Sequence, residues 1–168
     1  MTSIAWRDGI LAADSQVSNG DLRRGVDRKV WFRQFAGVNV YFGFSGDAVV
    51  GQKFTDLLTL SEDVDQFLTL WEAYEGRKGA ENRFEGFIIW DQKDPTFGQK
   101  CWLFYHDFPM CQHYFKDYIA FGSGRDLAMG AMAMGATAID GVNVAVKYDN
   151  GSGLPVQWVN RDGIFCVV

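Results

Sequence analysis

Asp8-Gly9 stands between two short apolar runs, residues 4–6 and 10–13. An Asp-Gly pair accepts the positive φ angles of a type I′ turn, whose twist suits two antiparallel strands, so the chain opens as a β-hairpin. Ala36-Gly37 separates residues 30–35 from 38–44 in the same way. Between these pairs, residues 15–28 are polar and read as a connecting segment. Antiparallel strands need only hairpins as short as these two turns, whereas parallel neighbours need a long crossover.

At Gly43-Phe44-Ser45-Gly46-Asp47 the alternation stops, and Asp47 is a good helix N-cap. Val49, Val50, Phe54, Leu57 and Leu58 then recur at helical spacing, followed by a second stripe of Val64, Phe67, Leu68 and Trp71. Residues 76–84 are polar and predict an exposed loop. Strands return at 86–90, 101–105 and 114–121, the last stopping at Gly122-Ser123-Gly124. Residues 125–134 and 137–148 predict two helices with small residues on their packing faces, and strands at 155–159 and 164–167 close the chain. The order of strands, two helices, strands, two helices, strands predicts an α+β fold, a four-layer αββα sandwich of two antiparallel sheets flanked by helices. Without linker or repeat, residues 1–168 read as a single domain.

Composition narrows the function. The net charge of −5, from 16 Lys and Arg against 21 Asp and Glu, argues against a phosphate-backbone binder and hence against nucleic acid. No apolar stretch reaches the roughly 18–20 residues of a membrane span, and no leader-like segment opens the chain. Three cysteines, Cys101, Cys111 and Cys166, are an odd number for a disulfide frame and point to a reducing, cytoplasmic compartment. His106, Cys111 and His113 lack a fourth ligand and a familiar metal spacing, so no metal and no cofactor is expected. The Met129, Met132 and Met134 group reads as adaptable helix packing.

Several short motifs occur in one order: Thr2-Ser3-Ile4-Ala5, residues 8–15 from Asp8-Gly9 to Asp14-Ser15, Lys29-Val30-Trp31, Gly43-Phe44-Ser45-Gly46-Asp47-Ala48, Gly122-Ser123-Gly124, and residues 146–153 with Asp149 and Ser152. Taken together they resemble the β subunit of the proteasome family of amino-terminal-nucleophile hydrolases. The likeness is strongest to the two-ring bacterial peptidase of that superfamily and to compact phage and prophage relatives. A phage-encoded chain would work in the host cytoplasm.

The resemblance implies roles. Thr2 would be the amino-terminal nucleophile once Met1 is removed, with Asp14 and Lys29 as its buried acid–base partners. Gly43 would give the oxyanion-hole N–H, and Ser123, Asp149 and Ser152 would hold the terminal amine. It also implies a homo-oligomer, in rings, acting on peptide or unfolded-protein substrates, with an ATP-dependent unfoldase as the kind of partner to expect. Compared with the family, the first hairpin is trimmed, the middle helices are short and the last hairpin is long.

The chemistry is coherent on its own terms. A threonine hydroxyl is a weak nucleophile and needs a base, which a free α-amine with a pKa of about 7.7–8.0 can be. A lysine cation favours a neighbouring alkoxide, and a carboxylate offsets the cost of burying that cation. Each residue also has a plainer role open to it. Asp14 can be a strand-end residue, Lys29 a solvated charge, Gly43 and Gly46 turn residues, and Ser123, Asp149 and Ser152 loop residues. Two other functions stay open on sequence: a small-molecule amidase of the same nucleophile class, and a catalytically silent assembly or binding protein.

Overall fold

The computed structural model describes residues 2–19, 22–79, 84–107 and 110–168. Met1, whose removal the expected chemistry requires, lies outside them, as do parts of the polar segments at 15–28 and 76–84. In chain order the elements are β1 (Ser3–Arg7), β2 (Ile10–Asp14), β3 (Gln16–Asn19), β4 (Leu22–Val26), β5 (Val30–Phe35), β6 (Val38–Gly46), α1 (Ala48–Leu60), α2 (Val64–Ala73), a 3-10 turn (Glu75–Gly79), β7 (Phe84–Asp94), β8 (Gly98–Tyr105), β9 (Cys111–Phe115), β10 (Tyr118–Gly122), α3 (Arg125–Ala133), α4 (Ala138–Tyr148), β11 (Val156–Val159) and β12 (Phe165–Val167). Contacts group them into two compact units, one of Met1–Val30 with Asp117–Val168 and the other of Trp31–Lys116.

The first unit is a five-stranded antiparallel sheet in the order β10-β1-β2-β11-β12, with α3 and α4 on one face. Asp8 and Gly9 have φ of 52° and 78°, the both-positive pattern of the expected type I′ turn. The helices pack through small side chains: Ala5, Ala12 and Ala120 of the sheet meet Ala128, Met132, Ala138 and Val142. Arg7 then ties down the end of α3, donating from Nη1 to the carbonyls of Met132 (2.7 Å), in its last turn, and Ala136 (2.8 Å), just beyond it.

The second unit is also a five-stranded antiparallel sheet, β5-β6-β7-β8-β9, but its helices α1 and α2 pack through aromatic rings. Phe54 of α1, fully buried, lies 5.1–5.6 Å from the rings of Phe67, Trp71, Phe84 and Phe104, mostly edge-on, an arrangement favoured by the ring quadrupoles. Asp47 caps α1 as expected, accepting from the N–H groups of Val49 (2.9 Å) and Val50 (3.1 Å). Ala36 and Gly37 repeat the both-positive turn, with φ of 48° and 81°.

The α+β class, the antiparallel sheets and the helix pair on each are as the element order predicts. Two details differ. The polar segment 15–28 carries a hairpin of its own, β3 with β4, where a plain connection was expected. The single strand expected over 114–121 is two strands in different sheets, β9 beside β8 and β10 beside β1. The bend at Lys116-Asp117 separates them, and two polar residues between apolar runs are too short a signal to read as a break.

All three cysteines are free, and Cys101 is fully buried. Burial, with Cys111 and Glu85 adding to it, holds the Cys101 thiol well above its ordinary range. Among the described residues no helix is long and apolar enough to cross a membrane, and no cluster of three His, Cys, Asp or Glu is placed to hold a metal ion.

Gly130 is exposed within α3, and a Cβ there would meet nothing within 4 Å. Gly130→Ala removes backbone entropy from the unfolded chain without a steric cost, so it should stabilise the protein by about 0.5–1 kcal/mol. Urea denaturation of the two proteins measures the difference.

Candidate active site

Six of the sequence-derived residues, Thr2, Asp14, Lys29, Ser123, Asp149 and Ser152, fall in the first unit and join two hydrogen-bond systems that meet at residues 2 and 3. Gly43 belongs to the other unit, buried in β6 and paired in register with Phe87 of β7.

Asp14 ends β2 and has no exposure to water. Its carboxylate accepts four hydrogen bonds. Oδ1 takes the Ser3 N–H (2.8 Å) and the Lys29 ammonium (2.9 Å); Oδ2 takes the N–H groups of Gln16 (3.0 Å) and Gly153 (3.1 Å). Lys29 Nζ also donates to the Gln16 carbonyl at 2.6 Å. Lys29 is therefore neither solvated nor unpaired, and Asp14 is not a surface residue. Burial depresses the Lys29 pKa below its ordinary value, outweighing the opposing pull of Asp14, Asp27 and Asp149. A depressed lysine is closer to giving up its proton than a surface one.

The second system begins at the Gly122-Ser123-Gly124 motif, which follows β10. Ser3 pairs in register with Gly122, so the motif lies against the start of β1. Gly122 has φ of +85°, and a Cβ there would sit 2.0 Å from the Thr2 carbonyl oxygen, so only glycine fits. A Cβ on Gly124 would sit 1.9 Å from Ser3 Oγ. Between the glycines, Ser123 Oγ is 3.3 Å from the Thr2 nitrogen, 3.3 Å from the Thr2 carbonyl oxygen and 2.8 Å from Asp149 Oδ2. A hydroxyl has one proton, and the shorter, charge-assisted bond to the carboxylate takes it. A lone pair of Ser123 is then left for the Thr2 N–H.

Asp149 follows α4 as its C-cap, an end where the helix dipole disfavours negative charge. Burial also works against the charge, but hydrogen bonds from the Ser152 hydroxyl (2.7 Å), the Ser123 hydroxyl (2.8 Å) and the Gly151 N–H (3.2 Å) outweigh it and lower the Asp149 pKa. Because Ser152 gives its proton to Asp149, the 2.5 Å contact between Ser152 Oγ and Ser3 Oγ is one in which Ser3 donates. The chain of bonds thus runs from the Thr2 nitrogen through Ser123, Asp149 and Ser152 back to Ser3.

Three participants carry no sequence signal of their own. Ser3 supplies both the N–H to Asp14 and the hydroxyl to Ser152. Gln16 accepts from Lys29 through its backbone. Gln157 of β11 is 2% exposed and bonds the Lys29 backbone N–H at 2.8 Å. Only an amide at an inward position of a strand, between Val156 and Trp158, could have drawn attention to Gln157.

No family model matches the chain, and no curated protein matches it. Solved structures do. BPH, a bacterial proteasome homologue from Thiobacillus denitrificans, solved in complex with epoxomicin, superposes with a TM-score of 0.61 at 20% identity, covering 99% of this chain and 97% of that one. A second structure of Thiobacillus denitrificans BPH gives 0.60 at 18% identity with the same coverage. Anbu (ancestral beta-subunit) from Yersinia bercovieri gives 0.69 at 12% identity, covering 99% of this chain and 82% of that one. At these identities the likeness is one of fold, and the fold is the proteasome-like one.

Two measurements probe the charge pair. Asp14→Ala leaves the Lys29 ammonium buried without its counter-ion and should cost about 3–5 kcal/mol in urea denaturation. The depressed Lys29 pKa has its own sign. Between that value and the ordinary 10.5 the unfolded chain holds a proton that the native chain has lost, so the Lys29 contribution makes stability rise with pH. Subtracting the pH dependence of Lys29→Met from that of wild type, in the alkaline window below pH 10.5, should expose this rise.

Proposed function

We propose that the chain is a threonine peptidase of the amino-terminal-nucleophile class, with Thr2 as nucleophile once Met1 is removed. The observation that carries the reading is the meeting, at consecutive residues, of a buried ion-pair system and a more exposed serine–carboxylate chain. The Asp14–Lys29 pair reaches Ser3 N–H, and the Ser123–Asp149–Ser152 chain reaches the Thr2 nitrogen. The proteasome-like fold, and a protein of that fold solved with epoxomicin, support the same reading.

In this reading the free α-amine of Thr2 takes the proton of Thr2 Oγ1 as the oxygen attacks the substrate carbonyl. The C–N bond of the substrate then breaks, and the leaving amine departs with that proton. The acyl ester left on Thr2 is hydrolysed by water, which restores the hydroxyl. Lys29 stabilises the developing alkoxide, and Asp14 keeps Lys29 in place. Ser123, with Asp149 behind it, orients the amine. Gly43 is assigned the oxyanion donor on the motif resemblance alone. Self-association belongs to the same proposal: Ile164, Phe165, Val167 and Val168 are all more than a third exposed at the edge strand β12, an apolar edge that calls for cover. Light scattering should return a species larger than a dimer, and a monomer at micromolar concentration would argue against a compartment.

The decisive experiment uses protein whose intact mass proves the loss of Met1. Wild type should cleave peptide substrates and gain the mass of one epoxomicin per chain. Thr2→Ala should do neither while melting close to wild type, and Lys29→Ala should lose turnover with a stability loss of about a few kcal/mol. A wild-type chain with free Thr2 that cleaves no peptide and takes no adduct would favour a silent scaffold.

The base sets the pH profile. Because the amine must be unprotonated to accept the hydroxyl proton, kcat/KM should rise about tenfold per pH unit on the acid side of the amine pKa, ordinarily about 7.7–8.0, and then level off. A profile flat through that range would assign the base elsewhere.

A further inference from the structure

Lys29 belongs to residues 27–29, a stretch outside regular secondary structure between β4 and β5. One side chain brackets it. Gln157 accepts the Lys29 backbone N–H at Oε1 (2.8 Å) and donates from Nε2 to the Asp27 carbonyl (2.7 Å) and to Ser15 Oγ (2.8 Å). A single amide therefore grips the chain on both sides of Arg28, as a neighbouring strand's backbone would.

We infer that Gln157 is a positioning residue for Lys29: by holding the 27–29 backbone it sets where the ammonium stands against Asp14 and Gln16, and so the reactivity of the site around Thr2. A lysine stem has several rotatable bonds, so its ammonium is placed only as well as its backbone is anchored. Here Nζ must meet Asp14 Oδ1 at 2.9 Å and the Gln16 carbonyl at 2.6 Å together. The strand position would otherwise suit an apolar residue. Trp158 packs toward α3 and α4, and Val159, on the same face as Gln157, is 1% exposed. A buried amide is costly there unless every donor and acceptor is used, and the partners of this one are the backbone on either side of Arg28, the adjacent Ser15 hydroxyl and, at 3.5 Å, the Asp14 carbonyl.

The effect on turnover rests on the peptidase reading; the effect on Lys29 does not. The test is therefore a direct titration of Lys29 in protein labelled with 13C at lysine Cε, its signal identified by its loss in Lys29→Met. The carboxylates acting on that ammonium are Asp14, Asp27 and Asp149. In Gln157→Met the signal should titrate at higher pH, nearer the ordinary lysine value, by at least about half a unit, roughly threefold in proton affinity. On protein with free Thr2, kcat should fall at least about tenfold with KM nearly unchanged. Gln157→Asn keeps a polar amide but is one methylene short, and should shift Lys29 in the same direction if Gln157→Met fails to fold. A folded variant whose Lys29 titrates as in wild type overturns the proposal, whatever its turnover. A shifted Lys29 in a protein whose wild type is inert upholds the positioning role and sinks the peptidase reading instead. Loss of fold in both variants would make the amide a folding element and also overturn the proposal.

Discussion

A carboxylate removed from water is tolerated only where its lone pairs all find donors. Asp14 is in that position, and its four donors come from four separate places: the start of β1, Gln16 at the start of β3, the loop beyond α4, and the segment before β5. Each of those segments must be in register for the carboxylate to be satisfied. A slip of one residue in β1 would turn the Ser3 N–H away and put its side chain on the other face. The ion pair with Lys29 is thus a check on the assembly of the whole first unit, and the groups around Thr2 inherit their order from it.

The two units solve the same packing problem, a helix pair on an antiparallel sheet, in opposite ways. Rings fill the wide space beneath α1 and α2, where Phe54 alone meets four aromatic neighbours. Alanines bring α3 and α4 close to the other sheet, and that closeness has a consequence for the site. Gly124 fits between Ser3 Oγ and the Ala145 Cβ, and α4 ends where Asp149 can reach both Ser123 and Ser152. Small residues on that face are therefore part of how the site is built.

Much of this was legible along the chain. The Asp8-Gly9 and Ala36-Gly37 turns, the Asp47 cap and the helix stripes are signals carried by neighbours in sequence, because φ preference, capping and periodicity are local properties. The strand break at Lys116-Asp117 was not legible, since two polar residues do not say which sheet the chain enters next. The hairpin within 15–28 was hidden for a related reason: its strands carry no apolar alternation to mark them.

The candidate site divides along the same line. Sequence by itself determined which residues were available, with Thr2, Asp14, Lys29, Ser123, Asp149 and Ser152 standing in motifs whose order could be recognised. It could not determine that Lys29 is buried rather than solvated, that Asp149 is held ionised by two serines and a backbone N–H, or that Ser3 and Gln157 take part. Those facts depend on desolvation and on tertiary contacts, several of them between residues more than a hundred positions apart, such as Thr2 with Ser123 and Lys29 with Gln157. Burial and long-range hydrogen bonds exist only once the strands are paired, so the tertiary structure alone decided them.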